Sequence, residues 1–252
     1  MKKVCCIGDI HGTEKFLKCY DDILKNDNDC DYIIVFGDHF DPYEDISLDV
    51  MIDRYTKFDE IRKNDSRIIS LLGNHDLAHY VIYGDETNRT YRYGVSAQKI
   101  SDCIVPNLPE SYLCFRIGDY LFSHAGVSED WLEYLDKVSP LDDDRKVIRN
   151  YREMIFNNHK GWTSGDLSQT VRFSYHDWSG YGNHETQGCT WIRPGCLIGC
   201  AVMGYNQVVA HTIFDKITSR HMLNGKTLWL IDTGGKPDYL TLEVDENIKV
   251  GE

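Results

Sequence analysis

No apolar stretch in this chain approaches the ~20 residues needed to cross a bilayer, so a membrane-spanning helix is not expected. After Met1-Lys2-Lys3 only four apolar residues precede Gly8-Asp9, far too few for a secretory signal peptide. No C-x-x-C pair occurs among the nine cysteines, and Cys196 and Cys200 lack the second pair that a structural zinc site would need. An odd cysteine count, with Cys5 and Cys6 adjacent and therefore on opposite faces of a strand, suits buried reduced thiols in a cytosolic protein. Internal repeats, low-complexity tracts and linkers are also missing. Basic residues are scarce, with Lys+Arg 27 against Asp+Glu 40 and a net charge of −13. A body this acidic repels nucleic-acid phosphates and anionic membranes, so neither is an expected general partner. What remains is ordinary globular material. The chain has 252 residues, 42% hydrophobic and 27% charged, enough for one substantial core and expected to form a single domain in the cytoplasm.

Three short apolar runs organise the N-terminal half. Residues 4–7 (VCCI), 32–36 (YIIVF) and 67–72 (RIISLL) read as fully buried strands. Residues 13–25, with apolar positions at helical spacing and Thr13 as candidate N-cap, and residues 46–64 read as the helices between them. Strand–helix–strand repeated in this way predicts a parallel sheet with right-handed crossovers. Each strand stops at a glycine followed by a polar residue able to bind metal: Gly8-Asp9-Ile10-His11, Gly37-Asp38 and Gly73-Asn74. Open α/β sheets bind their ligands at such carboxyl ends.

Residues 95–105 are expected to be helical, and residues 112–117 and 120–123 to form a hairpin around Gly118-Asp119 that runs into Ser123-His124. From about 127 to 188 the rhythm changes. Helical patterns at 129–136 and 142–158 give way to a polar region dense in Trp, Tyr, His and Gly, read as an insertion or cap beside the site. Strand patterns return at 207–211, ending in His211, at 227–232, ending in Asp232-Thr233-Gly234-Gly235, and at 239–244. These are expected to build a second, partly antiparallel sheet packed on the first. The Asp232 stretch reads equally well as a lining of the site or as a strand-ending turn.

Taken as one site, the strand ends supply Asp9, His11, Asp38, Asn74, His124 and His211. This mixed nitrogen and oxygen set, without thiolate, suits two divalent ions such as Mn²⁺, Fe or Zn²⁺. Asp38 lies on the middle strand and is the natural bridge. Two ions ~3.5–4 Å apart can clamp a phosphoryl group and activate water. His75 follows a ligand directly and is free to act as general acid, and Asp41 can orient it. Arg193, in Trp191-Ile192-Arg193-Pro194, is the candidate phosphate clamp. Isolated histidines such as His79, His159, His176, His184 and His221 are expected to be surface or hydrogen-bonded residues without a role in the chemistry.

The segments GDIHG, GDHFD, GNHD, SHAG, WIRP and AHT, in this order and spacing, resemble the phosphoprotein phosphatase family of calcineurin-like metallophosphoesterases. The compact bacterial and phage Ser/Thr phosphatases and the symmetrical diadenosine tetraphosphatases are the most similar types. The likeness runs from residue 4 to about 212, with 127–188 outside it. It implies a four-layer α/β/β/α sandwich with two mixed sheets. It also implies a first metal on Asp9, His11 and Asp38, and a second on Asp38, Asn74, His124 and His211. Three positions depart from the family pattern. Pro42, followed by Tyr43, stands where GDxxDRG carries its phosphate-binding arginine; Asp76 replaces a common glutamate; Ala210 replaces the glycine before the last metal-binding histidine. Proline cannot replace a guanidinium fork, so Arg89, Arg92 and Arg172 are candidates to substitute for it.

The activity so implied is hydrolysis of phosphate monoesters by direct attack of metal-bound water. A protein Ser/Thr phosphatase leads, with a dinucleoside polyphosphate hydrolase or an RNA-end or cyclic-phosphate phosphatase as alternatives. The phosphorylated partner is accordingly a phosphoprotein or a nucleotide. The non-enzyme alternative is a metal-binding interaction module, against which the intact His75–Asp41 pair argues.

Overall fold

β1 (Lys2–Ile7), β2 (Tyr32–Val35) and β3 (Ile68–Ser70) are the three apolar runs, and they pair in parallel in the order β3-β2-β1. We describe the fold from a computed structural model, which covers residues 1–84, 95–137, 182–248 and 250. α1 (Lys15–Asn26) and α2 (Leu48–Asn64) make the crossovers. Successive residues of β1 serve opposite faces, as the pleat requires. Cys5 and Ile7 join the core beneath the helices with Phe16, Met51 and Phe58, whereas Val4 and Cys6 join the core between the sheets. Each such apolar side chain removed from water contributes about 1.5–3 kcal/mol.

The expected hairpin is present as β4 (Cys114–Ile117) and β5 (Tyr120–Ser123), antiparallel around Gly118-Asp119. β5 continues in parallel to β6 (Asn206–Val209) and β8 (Thr227–Leu230), with β7 (Thr218–His221) antiparallel at the far edge. The inner face of this sheet, including Phe122, Val208 and Ile231, packs on Val4, Cys6, Ile34 and Phe36 of the first. Helix α5 (Glu129–Lys137), with Trp131, Leu132 and Leu135 buried, and α6 (Pro194–Cys200), with Leu197 buried against Val209 and Leu230, complete a helix–sheet–sheet–helix arrangement. α3 (Asn74–Gly84) and α4 (Val95–Ile104) flank the first sheet, and α4 runs on into a 3₁₀ turn, Val105–Glu110.

Three details differ from expectation. β9 (Leu240–Val244) does not extend the second sheet. It pairs antiparallel with β1, from Lys2 opposite Val244 to Cys6 opposite Leu240, and closes the first sheet on that side. Its alternating buried and exposed residues describe a strand with one wet face but do not name a neighbour. β7 was not anticipated, because Thr-Ser-Arg-His is polar and mostly exposed. Thr13 is not the N-cap: α1 begins at Lys15, and the Thr13 hydroxyl donates to Ile10 O (2.7 Å) while accepting from Lys15 N (3.3 Å), a local turn instead.

Cysteines 5, 6, 19, 30, 103, 114, 189, 196 and 200 are all free thiols. Among the described residues no helix is long and apolar enough to cross a membrane.

Candidate metal centre

Parallel register brings the strand ends to one edge. Ile7 lies opposite Val35, and Val35 opposite Ser70, so Asp9, Asp38 and Asn74 follow on the same side of the first sheet. In the second sheet Phe122 lies opposite Val208 and Val208 opposite Trp229, which sends His124, His211 and Asp232 to the corresponding edge. All six are buried.

The backbone there is held in a conformation that side chains disfavour. His11, Asp38, Asp41 and His211 have φ of 46°, 48°, 64° and 59°, and they are the non-glycine residues with positive φ among those described. Such angles cost about 1–3 kcal/mol each and persist only where surrounding contacts impose them. The glycines preceding the ligands answer to close approach: a Cβ on Gly73 would lie 2.0 Å from Asp38 Oδ1, and one on Gly37 2.4 Å from Gly73 N. Asp76 is the clamp between these two loops. Its carboxylate accepts from Asp38 N, His39 N, Gly73 N and His39 Nδ1 at 2.9–3.2 Å. Burial opposes its charge, but His39 and these donors hold it below the ordinary carboxylate range.

The donor atoms fall into two clusters, Asp9–His11–Asp38 and Asp38–His124–His211, each with its ligand atoms close enough to share one cation. Asp38 belongs to both. Its Oδ2 is 3.7 Å from His11 Nε2 and 3.3 Å from His124 Nε2. Asn74 Oδ1 (2.9 Å) and His211 Nδ1 (3.2 Å) also face His124 Nε2, so the candidate ligands Asp38, Asn74, His124 and His211 converge. The outward ring nitrogens are tied to backbone carbonyls: His11 Nδ1 to Phe40 O (3.0 Å) and Asp41 O (2.9 Å), His124 Nδ1 to Phe36 O (2.6 Å). That fixes which nitrogen each ring presents to a metal.

The residues fit divalent ions on two further grounds. His11 Nε2 and His211 Nε2 are buried without a hydrogen-bond partner, polar atoms that an ion or its ligands would satisfy. The carboxylates also favour positive charge beside two of these rings. Burial opposes charge on both rings, but Asp38 and Asp9 outweigh it and raise His124 to about 10 and His11 to about 9. His211 goes the other way: burial, then His124 and Arg193, push it well below the ordinary range.

Beside the clusters, His75 Nδ1 lies 2.8 Å from Asp41 Oδ2 and His75 N donates to Asp38 Oδ1 at 2.9 Å. Burial opposes the Asp41 charge, yet His75 and His79 hold the carboxyl well below its usual range. His75 also lines a cavity of about 390 Å³ with Asp38, Asn74, His211, Arg193, Tyr43, Trp191 and Ile213. Arg193 Nη1 is braced by His211 O (3.2 Å) and Thr212 Oγ1 (3.0 Å) at its mouth. The Tyr43 ring stands 4.6 Å from that of His11, and the Trp191 ring 5.7 Å from that of His211, so an aromatic side chain flanks each cluster.

Pro42 is buried and offers no fork to phosphate. Arg89, Arg92 and Arg172 lie outside the described residues, as does the centre of the 127–188 segment, including the helix expected at 142–158 and the histidines at 159 and 176. Asp232 is fully buried. Its Oδ1 accepts from Gly234 N (2.9 Å), which is the turn reading, and burial and the nearby Asp9 raise its carboxyl to about 6. Two residues escaped the sequence reading, Asp76 as inter-loop clamp and His79 as a second donor to Asp41. The spacing His75/His79, one helical turn apart, was the available signal.

A two-sheet sandwich with two candidate cation clusters sharing one carboxylate, and an Asp–His pair at the cavity, suits a metal-dependent phosphoester hydrolase. The chain belongs to the calcineurin-like phosphoesterase family, whose model matches residues 2–190, and is a metal-dependent phosphoesterase. Arg193 and His211 fall beyond that match and rest on the geometry. No curated protein sequence matches the chain significantly.

Among solved structures it is similar to a metallophosphoesterase from Sphaerobacter thermophilus, with 14% identity, 96% of this chain and 83% of that one covered, and TM-score 0.42. A protein serine/threonine phosphatase from Saccharomyces cerevisiae, similar to human phosphatase PP5, gives 15% identity, coverages of 92% and 67%, and TM-score 0.44. A protein proposed to be a diadenosine tetraphosphatase gives 12% identity, coverages of 98% and 95%, and TM-score 0.44.

Proposed function

We propose that the protein is a dinuclear-metal phosphomonoesterase acting on phosphoserine and phosphothreonine in proteins, with Asp9, His11 and Asp38 holding one ion and Asp38, Asn74, His124 and His211 the other. The observation that carries this is the position of Asp38 Oδ2 between His11 Nε2 and His124 Nε2, within reach of both clusters. When bound, such ions supply Lewis-acid charge to phosphoryl oxygens and an activated nucleophile. The protein's own share is to fix the ligands and to move a proton. With Nδ1 held by the ionised Asp41, the His75 ring can present Nε2 to a leaving oxygen in the cavity it lines and protonate it. Arg193, held by His211 O and Thr212, would fix the phosphoryl group. A cytoplasmic location belongs to the same reading and is supported by nine free thiols.

Among the described residues lining the cavity Arg193 supplies a guanidinium, which suits a single phosphoryl group. A second reading, a dinucleoside polyphosphate hydrolase, draws support from the aromatic flanks, since Tyr43 (56% exposed) and Trp191 offer faces on which a base could stack. Net acidity counts against RNA ends. A substrate panel of phosphopeptides, diadenosine tetraphosphate and 2′,3′-cyclic nucleotides with added Mn²⁺ decides. Preference for phosphopeptides by tenfold or more in kcat/KM is expected, and preference for the dinucleotide overturns it. Arg193→Ala should raise KM for any of them more than it lowers kcat.

A further inference from the structure

His79 sits one helical turn beyond His75 on α3, is 1% exposed, and points its Nε2 at Asp41 Oδ2 from 3.1 Å. The same oxygen accepts from His75 Nδ1 at 2.8 Å, while Asp41 Oδ1 is buried with no hydrogen-bond partner. An ionised carboxylate only accepts, so both imidazoles must donate to one oxygen. This is an asymmetric arrangement. A carboxylate held by a single donor can turn about its Cβ–Cγ bond and offer either oxygen, at either angle. A second donor from the same rigid helix removes that freedom. The ring of Phe40 lies 6.0 Å from that of His79, and Ser101 Oγ of α4 donates to His79 O at 3.0 Å, so the donor is itself set in packed surroundings.

We propose that His79 is a positioning residue for the reaction: it pins the Asp41 carboxylate so that Asp41 holds the His75 imidazole with Nε2 toward the cavity. This rests on the reading of His75 as the general acid. It makes the acid–orienter pair a row of three, His79–Asp41–His75, in which His79 touches neither substrate nor either cation cluster. Because the donor is Nε2, glutamine is the residue whose side-chain amide nitrogen falls nearest the same point. The shorter asparagine places its nitrogen near the position of Nδ1 and cannot reach.

The test compares His79→Gln, His79→Asn and His79→Leu in the full-length, Mn²⁺-loaded protein, on phosphoserine peptide, phenyl phosphate and p-nitrophenyl phosphate, with metal content measured for each. A general acid contributes ~10²–10⁴-fold, and loosening it should forfeit about tenfold of that. His79→Asn and His79→Leu should therefore lose about tenfold in kcat on the phosphoserine peptide, with KM and metal content held, and the loss should shrink as the leaving group improves. His79→Gln should recover most of it. In an Asp41→Asn background His79→Asn should add nothing. Equal losses across leaving groups, full additivity with Asp41→Asn, or no difference between Gln and Asn would each overturn the assignment. His75→Asn, assayed alongside, separates the two levels. If its own loss is independent of leaving group, the general-acid reading falls and this one with it. If His75→Asn shows the dependence and His79→Asn does not, only the role of His79 is refuted.

Discussion

His75 Nδ1 and Asp41 Oδ2 lie 2.8 Å apart although 34 positions separate them in the chain, one on the first turn of α3 and the other in the loop after β2. The contact exists because parallel strands β2 and β3 end side by side and Asp76 ties their loops together. Replacing His75 with asparagine should lower kcat by ~10²–10⁴ on alkyl phosphates while both metals remain bound. Asp41→Asn should do somewhat less. Loss of metal from either variant, seen by elemental analysis, would mean that a ligand had been disturbed instead.

Asp38→Asn should be the most damaging of the ligand changes. Its Oδ2 is the atom within reach of both His11 and His124, so a neutral amide there weakens two cation sites at once. Elemental analysis is expected to find markedly fewer than two metals per chain, against a loss confined to one site for Asp9→Asn. Retention of two ions together with wild-type turnover would remove Asp38 from the bridge.

Metal loading should release protons. His11 and His124, raised to about 9 and about 10 by Asp9 and Asp38 against the effect of burial, carry protons near neutrality when no ion is bound. Calorimetric titration in two buffers of different ionisation enthalpy should reveal about two protons displaced per chain, and affinity should climb as pH rises toward 9. The metal-free protein should behave in the opposite sense. Groups whose folded values exceed the unfolded one stabilise fully below about 6.5 and lose that contribution as pH passes through 9–10, so its Tm should fall over that window. A metal-free Tm that is flat from pH 6.5 to 10 would contradict this.

Away from the site, Asp65 gives a stability prediction of the opposite sign. Arg67 binds it through Nε, Nη2 and its backbone N–H, with Tyr20 Oη as a fourth donor, and these outweigh burial to hold the carboxyl below its ordinary range. The stability it contributes is present above the unfolded value near 3.9 and is lost as pH falls through the lower folded value. Asp65→Asn should cost about 1–2 kcal/mol at pH 7, and the gap to the wild type should close below about pH 4. Denaturant titrations at the two pH values provide the check.

The amino-acid sequence by itself determined the three parallel strands of the first sheet and which candidate ligands stand at their ends. Apolar runs too short for helices, each ended by glycine and a polar side chain able to bind metal, admit few other arrangements; Gly37 and Gly73 stand where a Cβ would strike the facing loop, and Gly8 where it would strike Ile231 O. What the sequence could not carry were choices made between surfaces far apart in the chain. β9 pairs with β1 rather than with the second sheet because an alternating strand states which face is dry, not which edge it will join. β7 shows no apolar signal because an edge strand can leave its side chains in water. Asp76 and His79 read as a family variation and an ordinary histidine until α3 aimed both at the loop after β2, where only the folded chain makes one the clamp of two strand ends and the other a second donor to Asp41.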